Sequence, residues 1–135
     1  MTKLYLGIDP GRSKTGLALV DGVGKIAKLH IAESQSIDNE IVVFIKNSCP
    51  VQIVLGNGTN SRNIYEVVQK VLPDVKVTVV EEAHSTEEAR TLYWQENPPK
   101  GLKKLIPLGL LVPPVPLDTY AAVILVRRFL EDNNE

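Results

Sequence analysis

The chain has a single cysteine, Cys49, so an internal disulfide is excluded and a reducing, cytoplasmic setting is expected. Cys49 ends an apolar helical stretch, which predicts a buried, inert thiol. Aromatic residues are only 5% of the chain, with Trp94 the sole tryptophan. That scarcity argues against an aromatic stacking surface and places Tyr93 and Trp94 in the core or at an interface. Neither sign of charge is in excess. Fifteen basic residues face sixteen acidic ones for a net charge of -1. Nucleic-acid binding therefore has to come from a local patch. No apolar run approaches a membrane span, and the polar start at Met1, Thr2 and Lys3 is not that of a signal peptide. Internal repeats and low-complexity segments are also missing. What is present is 44% hydrophobic content over 135 residues, enough for one domain, residues 1–135, with its own core.

Hydrophobic patterning predicts the order βββ, α, β, α, β, α, loop, α. Residues 3–9 form a first strand that ends in Asp9 and breaks at Pro10 and Gly11. Residues 16–21 and 25–32 form the next two, joined across Gly22, Val23 and Gly24. A helix follows with Ser36 as N-cap and is stopped by Pro50. Residues 51–55 are a fourth strand leading into a polar Gly56–Ser61 loop. A second helix buries Ile64, Val67, Val68, Val71 and Leu72. Residues 75–82 are a fifth strand ending in Glu81 and Glu82. Ser85 and Glu88 have the spacing of a capping box for a helix reaching Glu96. The segment 98–116 holds six of the nine prolines and reads as an ordered loop, helical at most near Leu102. Asp118 opens the final helix. A meander followed by βαβ units gives an α/β fold: a mixed five-stranded sheet with the first three strands antiparallel, helices on both faces and strand one at the centre.

This arrangement gathers the ends of strands one, four and five at one edge, the position where open α/β sheets bind ligands. Asp9, the Glu81–Glu82 pair and Asp118 fall there. Taken singly, they read as a turn residue, a strand end and a helix cap. Taken together at one edge, they read as a cation site. With strands about 4.8 Å apart, strands one and five are roughly 10 Å apart, close enough for their carboxylates to share one or two hard cations. Mg²⁺ and Mn²⁺ take oxygen ligands, and two such ions clamp the attacking and leaving oxygens of a phosphodiester.

The run G-I-D-P-G-R-S-K-T-G-L-A-L-V resembles the first hairpin of the YqgF and RuvC-like nucleases, of the RNase H-like superfamily. V-V-E-E-A-H-S-T-E-E-A-R resembles the YqgF signature, and L-D-T-Y-A-A-V-I-L resembles that family's last helix. The three lie in the family's order and span nearly the whole chain. The resemblance implies an RNase H-like fold and a cytoplasmic, metal-dependent nuclease acting on Holliday junctions or on the precursor of small-subunit ribosomal RNA. It makes Asp9, Glu82 and Asp118 the metal ligands, for Mg²⁺ or Mn²⁺ and two ions, with Glu81 beside them. Strand alternation sends Glu81 and Glu82 to opposite faces, and the motif match selects Glu82. The pattern also has departures. Ala83 stands where the family has Arg, and the loop after strand four is short. Gly56-Asn57 and Ala121-Ala122 occupy places where RuvC-type enzymes carry further acids.

Phosphate contacts are expected from Arg12, Lys14, Ser61, Arg62, Arg90 and the Lys100, Lys103, Lys104 cluster. His84, at a helix start, is a candidate general base. Two other readings stand beside the nuclease. One is a non-catalytic nucleic-acid-binding module of the same fold. The other is an ATP-handling domain of the actin and sugar-kinase type, disfavoured because those proteins need two such domains. The apolar stretch 105–116 suggests a partner surface, most simply a homodimer.

Overall fold

The computed structural model describes residues 3–83, 85–107 and 110–133. An antiparallel meander comes first: β1 (Leu4–Asp9), β2 (Lys14–Asp21) and β3 (Ile26–Glu33). Helix α1 (Ile37–Phe44) leads to β4 (Gln52–Gly56), and α2 (Ser61–Val71) to β5 (Lys76–Val80). Helices α3 (Ser85–Glu96) and α4 (Asp118–Asn133) complete the chain. The sheet order is β3-β2-β1-β4-β5, with β1 central, antiparallel to β2 and parallel to β4. The sequence-based topology holds.

Strand alternation splits the core in two. Leu6 and Ile8 of β1, Leu17 and Leu19 of β2, and Ile53 and Leu55 of β4 face α1 and α2, where they pack on Ile37, Ile41, Phe44, Ile64 and Val68. The other face presents Ala18, Val20 and Val54 to α4 and α3. Residues Ala121 to Val126 are all buried, because α4 lies between the sheet and α3 rather than on the surface. Gly7 makes this closeness possible: a β-carbon there would stand 2.5 Å from the Ala122 carbonyl oxygen. Arg127 fixes α4 to one side of the sheet, its Nε donating to the Gly24 carbonyl at 2.9 Å in the β2–β3 hairpin. No helix among the described residues is long and apolar enough to cross a membrane.

Several local expectations are corrected. Cys49 is exposed, not buried. Helix α1 ends at Phe44, Asn47 takes a left-handed φ of 67°, and the chain turns away before Pro50, leaving Cys49 outside any helix. Ser36 sits at the start of α1 without a side-chain cap bond. Glu40 instead reaches back to the Glu33 N–H at 2.7 Å and to His30 at 3.1 Å. Ser85 is the first helical residue of α3 and buried, and the Glu88 carboxylate turns to Arg128, so the expected capping box does not form. The last paired residue of β5 is Val80, leaving Glu81 and Glu82 beyond the strand. The described part of the 98–116 segment includes a short 3-10 turn, Gly101–Leu105, and buries Leu111 against Tyr93 and Trp94.

Candidate active site

Asp9 is the last residue of β1 and pairs with Gly16 of β2. The turn between them is closed by a ring of hydrogen bonds from buried hydroxyls. The Gly11 N–H donates to Thr15 Oγ1 (3.5 Å), Thr15 shares a 2.7 Å bond with Ser34, and Ser34 Oγ donates to the Gly11 carbonyl (2.7 Å). Asn60, held in the left-handed region at φ 69°, donates its Nδ2 to the same carbonyl at 3.1 Å. The β4–α2 loop and the β1–β2 turn are therefore one assembly, built beside the Asp9 carboxylate.

Glu82 reaches this edge from the far side of β4. Its backbone N–H donates to Asn57 Oδ1 at 3.1 Å, and the Asn57 N–H donates to the Val80 carbonyl at 3.0 Å. A β-carbon at Gly56 or Gly58 would overlap the Glu82 carboxylate, so the two glycines form a cradle that only hydrogen can line. Within it, Glu82 Oε1 is buried and has no hydrogen-bond partner. An unpartnered buried carboxylate oxygen is costly and calls for a cation or a donor.

Asp118 opens α4, where an acidic residue suits the positive end of the helix dipole. Gly16 permits the approach, since a β-carbon there would overlap the Asp118 carbonyl. Electrostatics link the three acids. Burial, then the hydrogen bond and charge of Glu82, then the charge of Asp118 push the Asp9 carboxyl up to about 8. Burial likewise raises Asp118. The hydrogen bond between Asp9 and Glu82 needs a shared proton, which the raised Asp9 carboxyl holds; apart from that proton, Glu82 Oε1 has no donor among the described residues. Among the described residues, no three acidic, histidine or cysteine side chains close around a common point. What is formed is the Asp9–Glu82 pair, with Asp118 acting on it through space.

The remaining expected residues separate into two groups. Arg12 lies on the turn after Asp9 and Lys14 opens β2, ion-paired to Glu33. Ser61 and Arg62 begin α2, joined to that turn through Asn60. Arg90 is exposed on α3, and Lys100, Lys103 and Lys104 are exposed on the 3-10 turn or beside it. No described hydrogen bond or ion pair ties this second group to the acidic edge. Glu81 is exposed and engages through its carbonyl, not its carboxylate. His84 lies outside the described residues. The sequence reading missed Asn57, Asn60, Thr15, Ser34 and the glycine cradle. The Gly56-Asn57-Gly58-Thr59-Asn60 run was the available signal, since so many turn formers at a strand end mark a backbone with special demands.

No protein-family model matches the sequence, and no curated protein matches it. Solved structures do. RuvC from Thermus thermophilus aligns over 96% of this chain and 95% of its own, with a TM-score of 0.59 at 15% identity. The same protein in complex with its Holliday junction substrate aligns over 98% and 97%, with a TM-score of 0.60 at 14% identity. A ROK family transcriptional regulator, a homologue of the E. coli MLC protein, aligns over 67% of this chain but 30% of its own, with a TM-score of 0.49 at 12% identity. That likeness is too partial to bear on function. The RuvC comparisons show that the fold is RuvC-like and RNase H-like.

Proposed function

We propose that this protein is a divalent-metal-dependent nuclease that hydrolyses phosphodiester bonds in structured nucleic acid. The observation that carries the reading is the buried, unpartnered Oε1 of Glu82, held beside Asp9 in a glycine cradle at the ligand-binding edge of an RNase H-like sheet. The donors are all carboxylate oxygens, the chemistry that Mg²⁺ and Mn²⁺ select. Asp9 and Glu82 would hold the metal, with Asp118 as the third ligand. Bound there, one or two such ions would supply Lewis-acid activation of water and charge neutralisation at the phosphate.

The chain's own residues supply the rest. Asp9 and Glu82 bring two carboxyl groups together at an edge where, among the described residues, neither makes an ion pair, so the edge is prepared for a cation rather than for substrate alone. Arg12 on the β1–β2 turn and Ser61 and Arg62 at the start of α2, joined through Asn60, would bind phosphates next to the cleavage point and hold the strand in register. The branched-DNA substrate of the Thermus thermophilus neighbour makes four-way junctions one candidate. The acidic pair and the α3 run, which resemble the YqgF signature, make precursor ribosomal RNA the other. A homodimer extends this reading, supported by the exposed Leu102, Leu105, Leu110 and Val112.

A non-catalytic nucleic-acid-binding module is the second reading. The lack of three converging donors among the described residues favours it. The deciding experiment is Mn²⁺-dependent cleavage of labelled four-way junctions, single strands and precursor ribosomal RNA, with Asp9→Asn in parallel. Cleavage lost in the variant supports the nuclease; binding of nucleic acid without cleavage by either protein supports the module.

A further inference from the structure

Glu81 and Glu82 lie past the last paired residue of β5, and β5 is the edge strand of the sheet. No neighbouring strand holds them on the outer side. Glu82 also crowds Asp9, whose carboxyl is raised by burial, by the hydrogen bond and charge of Glu82 and by the charge of Asp118, so the acids repel one another. A free loop in that position would swing outward and relieve the repulsion. Two side chains restrain it. Asn57 receives the Glu82 N–H from the β4 side. From the other side comes Arg128 of α4, whose Nη1 donates to the Glu81 carbonyl at 3.0 Å.

We infer that Arg128 is a positioning residue that holds the acidic loop in place, so that Glu82 stays turned toward Asp9 for the metal. This rests on the metal-site reading above. The guanidinium is itself fixed. Its Nε and Nη2 both donate to Glu88 Oε2, at 3.1 and 2.7 Å, and its side chain is three-quarters buried. A planar fork with two nitrogens committed to α3 has its remaining nitrogen, Nη1, aimed in a set direction, which a flexible ammonium cannot reproduce. Ala83 borders open space here: the small cavity lined by Val80, Glu81, Ala83, Arg128, Glu131 and Asp132 has a volume of about 250 Å³. Arg128 is ten residues after Asp118 on the same helix, roughly 15 Å along its axis. One rigid element thus presents a ligand candidate at its start and restrains the loop of another further along.

The test compares the parent protein with Arg128→Met and Arg128→Lys, after circular dichroism shows that each is folded. Mn²⁺ affinity is measured by titration calorimetry, kcat and KM by cleavage, and exchange of the Glu82 amide by NMR without metal. Arg128→Met should weaken Mn²⁺ binding by about tenfold or more, the usual effect of losing an outer-shell partner. The loss should appear in kcat at limiting metal, with KM for nucleic acid little changed. The Glu82 amide should exchange at least about tenfold faster. Arg128→Lys, keeping the charge without the fork, should recover only part of each effect. Parent-like Mn²⁺ affinity in a folded Arg128→Met overturns the inference. If the parent itself binds no Mn²⁺, the metal-site reading fails, and exchange alone then decides: unchanged exchange in Arg128→Met overturns the restraint, and faster exchange upholds it.

Discussion

Asp9 ends β1 and Glu82 follows β5, two strands that do not pair, yet their carboxyl groups meet across the end of β4. The strand between them ends in glycine, and the loop beyond it contains another, so no side chain stands in the way. The pairing is costly in the free protein, as the raised Asp9 carboxyl shows. The four expectations below follow from that cost and from its relief.

The first concerns pH. The unfolded chain ionises Asp9 near 3.8, whereas the folded protein keeps its proton up to about 8. Between those values the folded state binds more protons than the unfolded one, so stability is highest below pH 4 with respect to this group and falls as pH rises toward 8. In chelator, Asp9→Asn should therefore flatten the decline of Tm from pH 5 to pH 9. Burial raises Asp118 in the same sense. Thermal denaturation across that range is the measurement, and a variant with the parent's slope would refute the assignment.

A divalent cation should reverse the penalty. Mn²⁺ added at pH 8 should raise Tm, and the rise should shrink at pH 5, where protons compete for the same oxygens. At a hundred times the dissociation constant, mass action gives about 2.7 kcal/mol. Equal shifts at both pH values would place the ion elsewhere.

Gly56→Ala forces a methyl group into the Glu82 carboxylate. The expected outcome is a folded protein, destabilised by about 1–3 kcal/mol, with Mn²⁺ binding sharply reduced. Denaturant titration and calorimetry read the two effects separately, and intact metal affinity would show that the cradle is dispensable.

The acidic pair should also divide in its effects. Glu82→Gln should lower cleavage by about a hundredfold or more, on the scale of losing a key electrostatic group. Glu81→Gln should stay within a few-fold of the parent, because the Glu81 carboxylate is exposed and only its carbonyl is engaged. Comparison of kcat for the two variants is decisive, and the reverse ranking would reassign the ligand.

The elements of the fold were legible because each carries its own periodicity: alternation in β1 and β2, and apolar spacing with a clear stop in α1 and α2. Asp9 and Asp118 were legible as site candidates because they end or begin such elements. What escaped depends on contacts between distant residues. The Ser85–Glu88 spacing satisfies a local capping rule, but an arginine forty residues on takes the Glu88 carboxylate. A charged fork offers it more than a backbone N–H does. Cys49 looked buried because its neighbours are apolar, while the left-handed turn at Asn47 that exposes it has no strong sequence mark. The Gly56-Asn57-Gly58 loop reads as a plain turn until Glu82 is seen lying across it.

Adjacent arginines on α4 grip both flanks of the sheet: Arg127 holds the hairpin leading into β3, and Arg128 holds the segment leaving β5. The first of these bonds spans 103 positions of the chain. During synthesis the sheet can pair long before α4 emerges, but its second face stays uncovered and the loop bearing Glu82 stays loose. The full acidic edge, with Asp118 present and the Glu82 loop restrained, therefore needs α4 in place. A nascent chain is spared the cost of the acidic edge until the helix that restrains it has docked.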